Sequence, residues 1–519
     1  MSDDHRPPKN PESAGRPFKK RKQDATEPDL RTDEERINDQ VTPFWRKSYP
    51  DQLVAKDQAQ FGIVQSFLKA LNQRAHKANQ PLVWLQPLLK TSATACSFWS
   101  PIQASPEASV IGYRSKCEFS FGRNRQNEVT LGFMMGLFKE GTVEVASAQS
   151  CLHVQDGTKQ VVQWMETYVR EQSKWPVYDR VSKGGNWRLL MTRHQLSGEM
   201  MVVVQMHPQN MSKDDVEQEQ QHVAAYLQQQ SASSPVKVTT LLWQMSDGVT
   251  NGIFESPDLE LIFGPGHIHE TLNIGGHAFS FRISPFSFFQ SSTLACEKLF
   301  ETIGQWAVPA GQKKTVLLDL CCGTGTIGIC MSRIPSIHRI IGIEMCKEAV
   351  QDAKYNASLN GLKEDVIEYR CGKVEDELPI VLGRVKAEFG DLEDVDVVAV
   401  LDPPRAGVHK SVVNAIRQNE FIRRVVYVSC NPKAASDNWV KCVLNQEWHC
   451  FIMFLVECVH QIRAESRLSS KGHKPWICSL KRSIARWCSS FSDNFDGIKE
   501  RSGKIFFLRK IIWTLSLRR

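Results

Sequence analysis

The chain lacks the run of about 18 apolar residues that a bilayer-crossing helix needs. Its longest candidate, Cys450–His460 (CFIMFLVECVH), is roughly half that length and contains Glu457, so no membrane span is expected. It also lacks any Cys-x-x-Cys pair among its 15 cysteines. That absence argues against a zinc ribbon or a thioredoxin-type redox pair, so no metal is expected and the thiols should be reduced. The opening MSDDHRPPKNPESAG has no apolar core for a secretory signal and carries acidic residues early, which a mitochondrial presequence usually avoids. Residence in the cytoplasm or nucleus is therefore expected, with mitochondria as the alternative.

What is present is the balance of a soluble globular protein: 519 residues, 41% apolar and 23% charged, enough for two or three domains. The net charge of +7 is uneven, because residues 441–519 hold 15 Lys or Arg against 6 Asp or Glu. The basic excess therefore does not mark the main body as a nucleic-acid binder.

Residues 1–42 are rich in Pro, Lys, Asp and Glu and poor in large apolar side chains, so they are expected to be disordered. Within them the basic cluster Arg16–Lys22 (RPFKKRK) reads as a nuclear localisation signal, a phosphate-binding arm or a solvated charge run. Residues 43–284 are expected to form an α+β domain with a largely antiparallel sheet. The spacing of Phe61, Val64, Phe67 and Leu68 predicts an early helix. The alternating segments IGYRSKCEFSFG, EVTLGFMMG, NWRLLMTRH, EMMVVVQMH and VTTLLWQM predict strands, with helices near 157–172 and 213–229. Tyr113, Arg114 and Lys116, at the start of a strand, are candidates to meet RNA phosphate, or else form an ordinary basic strand face.

From 285 to 439 strands and helices alternate. A helix at 292–306 leads into TVLLDLCCGTGTIG, and RIIGIE, VDVVAVLD and RRVVYVSC follow as apolar strands. The pattern predicts a parallel sheet covered on both faces, a Rossmann-like α/β unit. Gly323, Gly325 and Gly328 have dinucleotide-fold spacing where strand turns into helix. Asp319 before the turn, and no anion-binding basic residue after it, favour S-adenosylmethionine over a dinucleotide. Glu344 ends the next strand, where a carboxylate accepts ribose hydroxyls in either kind of cofactor. Asp402 is held at a strand tip by Pro403 and Pro404, ahead of Arg405. The 28-residue step from Asp402 to Cys430, about one helix and one strand, brings both to the same sheet edge. A cysteine at a strand end is commonly a small core residue. Beside a methyl donor it is better explained as a nucleophile, since thiolate attack on carbon 6 of a uracil activates carbon 5 and the thiol then leaves.

The ordered motifs ISPFSFFQ, LLDLCCGTGTIG, IGIE, LDPPRAGVH and VSCNPKAA resemble the RNA uracil-5-methyltransferase family, and VTPFWRKSYPDQL resembles its eukaryotic tRNA members. The resemblance runs over about residues 41–438. It implies an S-adenosylmethionine-dependent enzyme making 5-methyluridine in tRNA. Gln290, Glu344 and Asp402 would contact cofactor or target base, Cys321, Gly323, Gly325 and Thr326 would surround the methionine part, and Cys430 would be the nucleophile. Arg114, Lys116 and Arg405 are the candidates for substrate contact. Family members end with a His-Cys-Glu motif whose glutamate removes the carbon 5 proton. Here Trp448-His449-Cys450-Phe451 puts phenylalanine in its place, and residues 440–519 form an atypical basic segment. A sheet short of its last strands, and a chain that binds RNA without completing catalysis, are the corresponding expectations.

Overall fold

A computed structural model of the chain describes residues 30–436, apart from 80–81, 83–84, 91, 93–98, 137–142, 249–251, 254–257, 309–312, 391–393, 420 and 434, together with residues 451–458 and 511–516. The Arg16–Lys22 cluster and the Trp448–Cys450 string lie outside the described residues.

Helix α1 (Asp33–Val41) corrects the expectation of disorder up to residue 42 for the described part of that segment. Its start is a capping box in which Glu35 N donates to Thr32 Oγ1 and Thr32 N donates to Glu35 Oε2. The helix docks through polar contacts that composition does not reveal. Asn38 Nδ2 donates to the Ser150 carbonyl, and the Gln40 amide bonds both Met134 O and Gly136 N. Helix α2 (Tyr49–Lys77) buries Phe61, Val64, Phe67 and Leu68 as its spacing predicts. They pack with Val316, Leu318 and Val397 of the parallel sheet, however, rather than on the antiparallel sheet whose segment the sequence reading joined them to. Strand β1 (Trp99–Gln103) follows.

Strands β2 (Lys116–Arg123), β3 (Val129–Met134) and β4 (Val145–Ser147) precede helix α3 (Asp156–Glu171). Strands β5 (Trp187–His194) and β6 (Glu199–Met206), helix α4 (Lys213–Ala232), and strands β7 (Lys237–Met245) and β8 (Leu259–Phe263) complete a seven-stranded sheet of order β4-β3-β2-β5-β6-β7-β8. Only the β6–β7 pair is parallel, because α4 provides the crossover between them. Apolar residues of α3, α4 and one sheet face form a single core that includes Trp187, Tyr168, Leu227 and Trp243. Strands β9 (Ile268–Ile274) and β10 (His277–Ile283) then make a separate ribbon. Gly275 and Gly276, with φ of +58° and +80°, supply the left-handed two-residue turn that matches strand twist.

After helix α5 (Thr293–Ala307) come β11 (Lys314–Leu320), α6 (Thr326–Met331), β12 (Ile337–Glu344), α7 (Lys347–Leu359), β13 (Ile367–Cys371), α8 (Val374–Phe389), β14 (Val395–Leu401), α9 (Lys410–Arg417) and β15 (Ile422–Ser429). Strands β16 (Phe451–Cys458) and β17 (Ile511–Ser516) follow. Every pairing in the eight-stranded sheet β1-β17-β16-β15-β14-β11-β12-β13 is parallel. Its central strands β11 and β14 are apolar along nearly their whole length because one face joins the core containing α5, β9 and β10 and the other joins the core containing α2 and α8. The expected loss of the last strands is corrected, since β16 pairs with β15 from Phe451 to Val456 and β17 sits between β16 and β1. The chain runs outward from β11 through β12 to β13 and returns to β14 on the other side of β11. That reversal opens a crevice at the carboxyl ends of β11 and β14, the place where open α/β sheets bind ligands.

Candidate functional site at the carboxyl edge of the parallel sheet

The turn between β11 and α6 is shaped by three left-handed residues, Cys321, Gly323 and Gly325, with φ of +64°, +54° and +78°. Cys321 N and Cys322 N both donate to Ile343 O, which ties the turn to β12. A Cβ on Gly325 would lie 2.3 Å from Tyr369 Oη, so this glycine is required by packing. A Cβ on Gly323 would meet nothing within 4 Å, so the turn is open on that side. Thr324 is buried and Thr326 begins α6.

Carboxylates gather around the turn. Glu344, at the tip of β12, accepts from Gly323 N at 3.0 Å, Met345 N at 2.8 Å and Cys346 N at 3.0 Å. Three backbone donors fix its orientation, while a carboxylate has about four acceptor positions. Asp319 is 1% exposed; its Oδ2 accepts from Gly328 N, whereas Oδ1 is buried with no hydrogen-bond partner among the described residues. Burial pushes its carboxyl up to about 7, with Asp402 and Glu344 adding to the rise. Burial likewise pushes Asp402, one residue past the end of β14, up to about 6. The Cys321 thiol, raised to about 12 mainly by burial, feels the charges of Glu344, Asp319, Asp402 and Glu375 together. A crevice ringed in this way repels a diphosphate and attracts a cation. This is the physical ground for preferring a sulfonium-bearing nucleoside to a dinucleotide.

Cys430 follows Ser429, the last residue of β15, and is half-buried. The β14–β15 register pairs Leu401 with Tyr427, so Asp402 and Cys430 both lie just beyond the ends of neighbouring strands. Gln290 is buried in the loop joining β10 to α5. Arg193, absent from the sequence reading, holds that loop: it is 2% exposed and donates from Nε to Pro285 O at 3.1 Å and from Nη2 to Ser287 O at 2.5 Å. Ser115 N adds a bond to Ser291 O. Of the three substrate candidates, Arg405 is exposed, while Arg114 and Lys116 are half-buried and already engaged. Arg114 Nε donates to Lys116 O, and Lys116 pairs with Glu118 at 3.1 Å. Burial, with Arg193 nearby, holds the Lys116 ammonium below its usual pKa. Among the described residues no His, Cys, Asp and Glu side chains assemble into a group of three suited to a metal ion.

A doubly wound parallel sheet with a glycine turn and an acidic crevice at its switch point defines a Rossmann-like unit for a nucleoside cofactor. Comparison with known proteins narrows the class. Residues 247–454 match the family model described as tRNA (Uracil-5-)-methyltransferase. The chain is 35% identical over 410 residues to tRNA (uracil-5-)-methyltransferase homolog A of Homo sapiens, covering 78% of this chain and 61% of that protein. It is 35% identical over 402 residues to homolog B of Danio rerio, covering 77% of this chain and 76% of that protein. The chain belongs to the tRNA (uracil-5-)-methyltransferase family. It spans less than two thirds of the length of the human and mouse homolog A proteins, at 61% and 64%. Among solved structures, a putative SAM-dependent methyltransferase from Streptococcus mutans matches with a TM-score of 0.32 and 11% identity, over 67% of this chain and 91% of that one.

Proposed function

We propose that the chain uses S-adenosylmethionine to methylate carbon 5 of a uridine in tRNA through a covalent Cys430 adduct. The observation that carries this reading is a thiol just past the tip of β15, beside a crevice whose carboxylates suit a cationic methyl donor. The residues fit that cofactor: Gly323 leaves room for it, Glu344 is oriented at the ribose position, and the second oxygen of Asp319 is buried with no hydrogen-bond partner among the described residues. When bound, it supplies an electrophilic methyl group.

The protein's own part is to position and activate the base. The Cys430 thiolate forms a sulfur–carbon bond at carbon 6 of the uracil, and the electrons of the 5,6 double bond move onto the ring carbonyl. Carbon 5 is then nucleophilic enough to take the methyl group. A base removes the proton from carbon 5, the double bond re-forms and the thiolate is expelled. Gln290, held by the Arg193-braced loop, orients the uracil, and Asp402, held at the neighbouring strand tip by Pro403 and Pro404, contacts the cofactor or the base. Cys430→Ala should keep cofactor binding and abolish covalent capture of RNA containing 5-fluorouridine, read on a denaturing gel. An adduct retained by that variant would overturn the assignment.

A second reading is favoured by one feature, the phenylalanine at position 451 where the family motif has its glutamate. On that reading the chain binds and captures tRNA but does not release it.

A further inference from the structure

Helix α7 and its C-cap carry a polar stripe, Asp352, Asn356 and the cap residue Asn360, at four-residue steps along one face. Side chains at this spacing stack above one another. All three reach strand β10. Asp352 accepts from Arg282 Nη2 at 2.6 Å and from Ser284 Oγ at 2.9 Å. Asn356 Oδ1 accepts from Arg282 N at 2.9 Å, and Asn360 both accepts from Ser280 N at 2.9 Å and donates to Ser280 O at 2.7 Å. Asn356, fully buried, has a second partner of a different kind: its Nδ2 donates to Thr324 O at 3.3 Å, inside the glycine turn. One amide thus joins the turn that faces the cofactor crevice to the strand that leads, through Ser284, into the loop carrying Gln290.

We propose that Asn356 is a positioning residue that couples the cofactor turn to the RNA-side loop, so that RNA and cofactor strengthen each other's binding. The inference rests on the function proposed above. The amide has one acceptor and one donor end, and each is committed to one of the two segments. Moving the turn toward a ligand therefore shifts the strand, and ordering of the loop by RNA fixes the turn. A buried amide is suited to this because losing either bond leaves a polar group without a partner. Coupling of this kind is reciprocal and is typically about fivefold or more in affinity.

The test measures S-adenosylhomocysteine binding to the full chain by calorimetry, with and without a tRNA transcript, for the unmodified protein, Asn356→Asp and Asn360→Ala. Asn356→Asp keeps the acceptor for Arg282 N and loses the donor to Thr324 O. Asn360→Ala removes its two bonds to Ser280 of β10 and one to the Asn356 carbonyl, and leaves the Asn356 side-chain bonds to Arg282 N and Thr324 O in place. The unmodified protein should bind the nucleoside roughly fivefold or more tighter with tRNA present. Asn356→Asp should lose that enhancement while its affinity for tRNA alone is unchanged, and Asn360→Ala should keep it. Equal loss in both variants, or enhancement retained in Asn356→Asp, would overturn the proposal, as would the absence of enhancement in the unmodified protein. Should Asn356→Asp not fold, Asn356→Gln, which keeps both ends of the amide but displaces them, takes its place with the same expectation. Failure of the unmodified protein to bind the nucleoside at all would instead count against the proposed function.

Discussion

Asp319 shows how a single residue can be kept in an unfavourable state for a ligand. Burial raises its carboxyl to about 7 from an ordinary value of 3.8, so the folded protein binds this proton more tightly than the unfolded chain does. The stability it contributes is complete below the unfolded value, about pH 4, and is lost as pH rises through about 7. Above that pH the ligand-free protein holds a buried charge with one oxygen lacking a partner among the described residues. Asp319→Asn should therefore raise the melting temperature of the ligand-free protein at pH 8, by about 2–4 °C for each kcal/mol relieved, and have less effect at pH 5. The same change should weaken S-adenosylmethionine binding about tenfold, consistent with loss of a charge-assisted hydrogen bond. A variant that melts lower than the parent at pH 8 would contradict this account of the site.

Among the elements, α1 is the one whose stability depends most visibly on local sequence. It is short, its first turn is acidic, and it buries only Ile37 and Asn38, so the capping box is a large part of what defines it. Thr32→Ala should cost about 1 kcal/mol and should appear first as faster amide exchange in α1, with α3 and the strands beneath unaffected. The capping pattern, Thr32 followed three residues later by Glu35, was legible in the sequence. It lay among charged residues that composition alone assigns to disorder. Strand β13 escaped notice for a related reason, because IEYRC alternates polar and apolar residues and is only 5 residues long, as fits an edge strand.

For the whole molecule the deciding question is the C-terminal segment. Strand β16 lies parallel to β15 with Val456 opposite Ser429, so the segment completes the sheet without the family's His-Cys-Glu string. In the proposed mechanism thiol addition and methyl transfer would use Cys430, Asp402 and the cofactor crevice, and release would need a base. On the second reading of the function, with no base supplied by position 451, the chain given unmodified tRNA and S-adenosylmethionine should accumulate a covalent protein–RNA species and yield little free 5-methyluridine. Multiple turnover at about 1 per second or faster, an ordinary enzymatic rate, would show that another group serves as base. Glu457, the residue after Val456, would then be the first to replace by Gln.

The sequence by itself determined the two kinds of sheet, because strands joined by short turns pair antiparallel and strands separated by helical stretches pair parallel. It also determined the strand tips, since Gly323, Gly325, Glu344, Asp402 and Cys430 each stand where an apolar run ends. Only the tertiary structure decided that α2 covers the parallel sheet, that Arg193 braces the loop of Gln290, and that Asn356 bridges that loop's strand and the glycine turn. Each of these is a contact between residues distant in sequence, and periodicity reports which face of an element is buried but not what it is buried against.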